Sequence, residues 1–334
     1  MARRALLSRT RLDGIFRRIP RVRVLVIGDL MLDQFIWGRV ERISPEAPVP
    51  VVQFTAEDFR LGGAANVISN VRALGAKVFA AGIVGTDAGG RRVLDLLKRI
   101  GASVEGVAAA RAVGTIWKTR IVAHQQQVVR LDRDHAPAQT SVAVARLRAR
   151  IQRLVRRVDV VIVSDYGKGV ITADLLTELA QARTKYGFQL VVDPKKANFA
   201  NYRGATLVTP NVGEAAAAAD IEISDVEGLR RAGAVLLDRW QADAVLVTRG
   251  EHGMSLFKRG GSVRHFPTVA RHVYDVAGAG DTVIATCALA LGAGASFEEA
   301  AVLANHAAGI VVGEVGTATV SLAALRADLR RSMR

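Results

Sequence analysis

Short apolar runs alternate with helix-patterned segments along most of this chain, and that alternation restricts its fold more than any other feature. The runs at 22–29 (VRVLVIGD), 77–85 (KVFAAGIVG), 158–165 (VDVVIVSD), 188–194 (FQLVVDP), 205–211 (ATLVTPN) and 242–250 (ADAVLVTRG) end in Asp, Gly, Pro or Asn. Runs of this length, rich in β-branched residues, read as strands buried on both faces. Between them, 64–74, 88–100, 142–157, 173–186, 213–219, 225–240, 282–293 and 297–312 carry helical patterns. Strand–helix alternation predicts a parallel sheet covered by helices on both faces. Ligands bind such sheets beyond the carboxyl ends of the strands, so Asp29, Asp165, Asp193, Asn211 and Arg249 fall on the candidate active edge.

Two regions break the alternation. Residues 34–60 contain PEAPVPVV, whose prolines suit edge strands and turns. Residues 113–133 (VGTIWKTRIVAHQQQVVRLDR) read as two strands with a turn near Ala123–Gln126. Segments of about 36–54 and 113–133 are therefore expected to pair into a small β lid over the active edge. No internal repeat or composition break marks a second unit, so residues 1–334 read as a single α/β domain with that lid.

Composition removes several function classes. Half of the 334 residues are hydrophobic, enough for a large core, yet no uninterrupted apolar run approaches the ~20 residues of a membrane span. The single cysteine, Cys287, excludes an intrachain disulfide framework and a cysteine-based zinc site, and reads as a buried thiol. The histidines show no metal-ligand spacing. The first 23 residues lack a signal-peptide core, and Leu6, Leu7, Leu12, Ile15 and Phe16 predict one face of a leading helix. A cytoplasmic protein without a membrane partner is expected.

The net charge of +15 comes from 46 Lys and Arg against 31 Asp and Glu. Much of the excess lies in the N-terminal segment, including Arg3 and Arg4, and in RLRARIQRLVRR at 146–157, which fits an amphipathic helix with a solvated basic face. Few aromatics accompany these runs, so no base-stacking platform is expected and no nucleic-acid partner is assigned. A basic surface suits small anionic substrates.

Three motifs carry chemistry. In YDVAGAGDTVIATCALALGAG (274–294), Gly278 and Gly280 form a loop that a ligand can approach closely, and an apolar helix follows. The N–H groups at that helix start make an anion site, and Asp281 beside them can accept a proton from a hydroxyl attacking a phosphoryl group. An Asp after a Gly turn is equally an ordinary helix cap. The loop lacks the Gly-Lys-Ser/Thr of a Walker A motif and the dinucleotide G-x-G-x-x-G. In LGGAANVISNVRALGAKVFAAGIVGTDAGG (61–90), Gly62 and Gly63 permit close approach and Asn66 offers an amide; a tight turn before an Ala-tolerant helix reads the same way. In GDLMLDQF (28–35), Asp29 and Asp33 follow a strand and suit sugar hydroxyls, a metal or a cap.

The paired GG…N and DVAGAGD segments resemble the two signatures of the ribokinase-like (PfkB) carbohydrate kinases, over about residues 22–325. TPNVGE (209–214), VTRGEHG (247–253) and ANHAAGIVVGEVGT (304–317) resemble further elements of that family. ERISPEAPVPVV (41–52), the QQQVVRLD run (125–132), VSDYGKG (163–169), VDPK (192–195) and YDVAGAGDTVI (274–284) are similar to its heptose-7-phosphate kinase branch. Val276 and Ala277 depart from the threonines usual at their positions, which contribute mainly backbone. The chain ends with VSLAALRADLRRSMR (320–334), so the resemblance implies the stand-alone kinase rather than the form fused to a nucleotidyltransferase.

The resemblance implies a three-layer αβα sandwich with a mainly parallel sheet and a β lid. It implies ATP-dependent phosphorylation of the C1 hydroxyl of D-glycero-β-D-manno-heptose 7-phosphate, a step toward ADP-heptose and the lipopolysaccharide core. A kinase for another sugar or nucleoside, or a non-catalytic sugar-binding regulator on the same fold, are the competing readings. Under the resemblance Asp281 is the catalytic base, and the N–H groups from Ala277 through Gly278, Ala279 and Gly280 to Asp281 form the anion hole. Asp33, Gly62, Gly63 and Asn66 match the sugar contacts. Arg249, Gly250, Gly253 and Asn305 match the nucleotide contacts, with Lys195 facing the ATP phosphates. Asn211 and Glu214 would hold magnesium through water, and Asp275 lies near a potassium position. Lys118, Arg120, Arg130 and Lys168 are the candidates for the sugar phosphate. A homodimer through the lid is expected, as in several members of the family.

Overall fold

Alternate residues along the central strands face opposite ways, and the two sets belong to two separate cores. In β1 (Arg23–Gly28), Val24 and Val26 join one core while Leu25 and Ile27 join the other. The computed structural model describes residues 7–333 apart from 112, 125, 135–140, 271 and 315. Arg3, Arg4 and Leu6 of the leading segment lie outside the described residues.

After β1 the strands are β2 (Leu30–Ile43), β3 (Pro50–Gly63), β4 (Lys77–Gly85), β5 (Ser103–Ala110), β6 (Ile116–Ala123) and β7 (Gln126–Arg133). They continue as β8 (Val160–Ser164), β9 (Gln189–Asp193), β10 (Leu207–Val208), β11 (Ala244–Thr248), β12 (Met254–Lys258) and β13 (Val263–Phe266). The helices are α1 (Arg9–Arg18), α2 (Ala64–Ala73), α3 (Ala88–Arg99), α4 (Ser141–Leu154) and α5 (Ala173–Tyr186). They are followed by α6 (Val212–Ala219), α7 (Val226–Trp240), α8 (Ala279–Gly292), α9 (Phe297–Val311) and α10 (Leu322–Ser332).

Nine strands form one sheet in the order β13-β12-β11-β10-β9-β8-β1-β4-β5, parallel from β11 to β5 and antiparallel at the β12–β13 end. Helices α1, α2, α3, α8, α9 and α10 cover one face, and α4 to α7 the other. This is the three-layer α/β sandwich expected from the alternation. Burying whole apolar side chains on both faces stabilises each layer by roughly 25 cal/mol per Å² of apolar surface removed from water. Helix ends are marked where the sequence supplies caps: the Thr172 hydroxyl accepts from the Leu175 N–H before α5, and Gly187 closes that helix in a left-handed conformation.

Some elements differ from expectation. The run at 205–211 yields only Leu207–Val208 as strand, because Pro210 has no N–H to extend the ladder and Asn211 already caps α6. The helix expected to begin at 282 begins at Ala279, which puts Asp281 inside its first turn. Leu7 is buried but precedes α1, whose cap is Ser8. Cys287 is buried on α8, as expected, and burial pushes its thiol up to about 12. Among the described residues, no helix is long and apolar enough to cross a membrane.

The second sheet has the order β3-β2-β6-β7, with β2 and β6 parallel and the other pairs antiparallel. Its strands reach well beyond the 36–54 expected for the first lid segment. β2 starts two residues after β1 ends, with Leu30, Met31 and Leu32 buried, and becomes exposed only toward its tip. The roots of β2 and β3 are apolar or glycine, so they pattern like core rather than like a flap. In register, Phe35 lies beside Arg120, Arg120 opposite Arg130, and Lys118 opposite Asp132.

Candidate active site

At the carboxyl edge of the large sheet, Gly278 caps α8 with φ of 78°, a left-handed conformation that favours glycine. A Cβ there would lie 2.9 Å from Asn66 Nδ2, so the position needs glycine for space as well. No side chain caps this helix, and the N–H groups of Gly278, Gly280 and Asp281 donate to no acceptor among the described residues. Of the N–H groups expected to form an anion hole from Ala277 to Asp281, two are already engaged. The Ala277 N–H donates to Asp275 Oδ1 (2.9 Å) and the Ala279 N–H to the Val276 carbonyl (3.2 Å), because both bonds shape the turn itself.

Asp281 is buried under this loop. Asn66 Nδ2 donates to its Oδ2 at 2.6 Å and the Tyr166 hydroxyl donates to its Oδ1 at 2.7 Å. Burial pushes its pKa up to about 6, against the two donated hydrogen bonds, which favour the ionised form. A carboxyl group in that range is matched to general-base work near neutral pH. Tyr166 is held well above the ordinary phenol range by burial and then by the Asp281 and Asp193 carboxylates, so it stays a donor.

On the lid side, Asp33 is buried and accepts from Arg120 Nη1 at 2.6 Å. Gly62 lets the strands close here, since a Cβ would fall 2.4 Å from Asp33 Oδ2, and Gly63 leads into α2 and Asn66. Of the four cations expected at a sugar phosphate, Arg120 thus sits on Asp33, Lys118 and Arg130 converge on Asp132, and Lys168 pairs with Asp134. All four have a carboxylate partner that a phosphate would join or displace.

On the other side of Asp281 lies a cleft of about 670 Å³ lined by Arg249, Gly250, Gly253, Val276, Gly280 and Asn305 among others. The cleft brings together Arg249, Gly250, Gly253 and Asn305 of the residues expected at the nucleotide, while Ala277, Lys195, Asn211 and Glu214 are not part of its lining. Asn305 is oriented by donating to the Pro267 carbonyl, and Arg249 by donating to Ser255 Oγ. Asn211 and Glu214 form a capping box at α6, and Lys195 Nζ donates to Glu214 Oε1 at 2.6 Å. Among the described residues no cluster of three or more His, Cys, Asp or Glu side chains could hold a metal. That donor set fits a hydrated magnesium ion arriving with the nucleotide and held through water, since magnesium keeps several waters. Asp275 accepts from the Ala277 and Gly316 N–H groups, one on each oxygen, which leaves lone pairs for a monovalent cation.

Two residues of the site, Tyr166 and Arg60, carry no local sequence signal, and Asp29, expected on the active edge, takes the capping role among those open to it. Tyr166 lies within VSDYGKG, but nothing in its spacing points at Asp281, 115 positions away. Asp29 is fully buried and accepts from the backbone N–H groups of Tyr166, Lys168 and Val170. Arg60 pairs with Asp58 and lies over the Phe35 ring at 4.7 Å, on the lid face that carries Arg120.

Comparison with known proteins gives the family and the fold. The model of the pfkB family carbohydrate kinases matches residues 22–324. The chain is 46% identical over 318 residues to Bifunctional protein HldE of Citrifermentans bemidjiense, covering 94% of this chain and 65% of that protein. Against Bifunctional protein HldE of Geobacter sulfurreducens the identity is 47% over 327 residues, covering 97% and 66%. The chain therefore spans slightly less than two thirds of the length of these relatives. Among solved structures, Arabidopsis thaliana ribokinase complexed with ribose and ATP superposes with a TM-score of 0.74 at 19% identity, covering 92% of this chain and 99% of that one. Escherichia coli phosphofructokinase-2 in complex with fructose-6-phosphate gives 0.77 at 20% identity, covering 94% and 100%. Phosphofructokinase-2 from the same organism in complex with potassium gives 0.74 at 21%, again covering 94% and 100%. The fold is the ribokinase-like one, and the chain belongs to the pfkB family of carbohydrate kinases.

Proposed function

We propose that this chain transfers the γ-phosphoryl group of ATP to the C1 hydroxyl of D-glycero-β-D-manno-heptose 7-phosphate, giving the 1,7-bisphosphate and ADP. The observation that carries the kinase reading is Asp281, a buried carboxyl group tuned to about 6 between the Asp33 side of the site and the nucleotide cleft. The heptose reading rests on the sequence stretches around 41–52, 125–132, 163–169 and 192–195, together with the similarity to HldE proteins.

In this reaction the sugar hydroxyl gives its proton to Asp281 as its oxygen bonds the γ-phosphorus, and the bond from that phosphorus to the bridging oxygen of ADP breaks. The unpaired N–H groups of Gly278, Gly280 and Asp281 stabilise the charge spread over the transferring group. Asp33, Gly62, Gly63 and Asn66 orient the sugar. Lys195 meets the nucleotide phosphates, and its pairing with Glu214 keeps it charged despite burial. Asn211 and Glu214 would hold, through water, a magnesium ion that arrives with ATP, and that ion would neutralise charge on the phosphates. Potassium at Asp275 would fix the loop that ends at Gly278. We also assign the whole chain to one domain whose lid closes over the sugar and excludes water, a homodimer formed through that lid, and a cytoplasmic location.

Steady-state assays with heptose 7-phosphate, fructose 6-phosphate, ribose and adenosine test the substrate. The heptose phosphate should have the largest kcat/KM; a higher value for any other sugar or for adenosine would reassign the chain within its family. Asp281→Asn should lower kcat by about 10²–10⁴-fold with the fold retained. Turnover near wild type in that variant would remove Asp281 from the chemistry.

A further inference from the structure

Asp281 presents two carboxylate oxygens, and each receives one donor from a different part of the fold. Asn66 comes from the first turn of α2, and Tyr166 from the loop that follows β8. Both donors trace back to one residue at the end of β1. The Asp29 carbonyl accepts from the Ala64 N–H at 3.0 Å, which fixes the start of α2 two residues before Asn66. Its carboxylate accepts from the N–H groups of Tyr166 (3.0 Å), Lys168 (3.1 Å) and Val170 (3.2 Å), which fixes the Tyr166 loop. Gly167 and Gly169 adopt positive φ within that loop, so it wraps around the Asp29 side chain.

We propose that Tyr166 is a positioning residue for the Asp281 base, and that Asp29 sets Tyr166 and Asn66 together so that the carboxylate is clamped from both sides. This rests on the kinase reading above and deepens it. An ionised carboxylate offers about four lone-pair sites, so two fixed donors leave room for the sugar hydroxyl while preventing rotation away from it. Clamping matters because attack needs alignment with the phosphorus, and a small misplacement costs rate steeply. Tyr166 itself cannot serve as the base. Burial first, and then the neighbouring Asp281 and Asp193 side chains, hold its proton in place, and it therefore acts as a donor throughout. The groups facing Asp281 are Asn66 from α2, Tyr166 from the β8 loop, Asp33 from β2, and Asp193 and Lys195 at the end of β9.

Tyr166→Phe keeps the ring and removes the hydroxyl. Losing one donor to the ionised form should raise the Asp281 midpoint from about 6 by about one unit, the usual worth of a hydrogen bond to a charged group. The expected kinetic result is a fall in kcat of about 10–100-fold, with KM for the sugar nearly unchanged and the acidic limb of the kcat profile moved upward by the same amount. Carbon-13 titration of the Asp281 carboxyl in the substrate-free protein reads the midpoint without any sugar. If wild-type protein fails to phosphorylate heptose 7-phosphate, the proposed function falls and this titration still decides the role of Tyr166. An unchanged midpoint in Tyr166→Phe would overturn the proposal. So would a raised sugar KM with kcat intact, which would make Tyr166 a substrate contact. Asp29→Asn, which turns one accepting oxygen into an amide donor facing backbone N–H groups, should shift the midpoint in the same direction; a folded Asp29→Asn protein with a wild-type midpoint would remove Asp29 from the clamp.

Discussion

Arg120 and Asp33 form a 2.6 Å ion pair between neighbouring lid strands, with the Asp33 carboxylate almost fully buried. Arg120 was expected at the sugar phosphate, yet its nearest anion is the residue expected to hold a sugar hydroxyl. Removing the guanidinium would leave a buried carboxylate without its charge partner, a costly state wherever it occurs. Arg120→Ala should therefore lower kcat/KM by about tenfold or more on heptose 7-phosphate and on the unphosphorylated heptose alike. A loss confined to the phosphorylated sugar would return Arg120 to the phosphate.

Arg130 is the better candidate for that phosphate. It lies directly opposite Arg120, is half exposed, and shares Asp132 with Lys118, so Asp132 keeps a cation when Arg130 is removed. Burial opposes the ionised form of Asp132, but Arg130 and Lys118 outweigh it and hold the carboxyl below its ordinary value. Arg130→Ala should cost about 10–100-fold in kcat/KM on heptose 7-phosphate and little on the unphosphorylated sugar, the range for one charge-assisted contact. Equal losses on both sugars would make Arg130 part of the lid framework.

The raised pKa of Asp281 fixes the sign of the pH dependence. Asp281 as the proposed base would work ionised, and burial moves its midpoint up to about 6, so kcat/KM should fall about tenfold per unit as pH drops well below 6 and level off above it. Stability responds in the opposite sense. The native state holds this proton more tightly than the unfolded chain, whose Asp titrates near 4. The contribution of Asp281 to stability is thus complete below about 4 and lost as pH rises through about 6. Asp159, whose pKa the Arg23 hydrogen bond lowers, behaves in reverse: its contribution is complete above its unfolded value and is lost as pH falls through the lowered folded one. A pH–rate profile without an acidic limb near 6 would show that another group limits the reaction.

What the sequence made legible was whatever local pattern encodes. The central strands and the helices around them follow from apolar runs and periodicity, and the Gly278 turn with Asp281 behind it follows from the glycine spacing. The lid was visible only where prolines and polar residues interrupt the alternation, so the buried roots at Leu30–Leu32 and Leu61–Gly63 passed for core. β5 and the β12–β13 hairpin carry no strong run of their own and are defined by the edges they pair with. The clamp on Asp281 was hidden for a different reason. Asn66 and Tyr166 are 215 and 115 positions from it, and only the pairing of β1 beside β8 brings Asp29 to both the Tyr166 loop and the start of α2.

The outer face of the lid leads to the last prediction. Val129 and Leu131 alternate with Arg130 and Asp132 along β7, so they point away from the face that carries Arg120, and both are about half exposed. Ile43 and Phe54, at 61% and 65% exposure, add apolar surface near the tips of β2 and β3. β3 and β7 are also the two edges of the four-stranded sheet, with backbone groups open to pairing. An apolar, unpaired β surface of this kind is a liability in an isolated protein and is normally covered. A second copy of the same lid would cover it by symmetry, because a two-fold contact needs only a self-complementary patch. Light scattering at micromolar concentration should give twice the chain mass. Val129→Glu combined with Leu131→Glu should give the single-chain mass, since the two-fold would then bring four carboxylates into an apolar contact. A wild-type monomer would leave the lid edges uncovered and refute the dimer. A dimer indifferent to both substitutions would move the contact off β7.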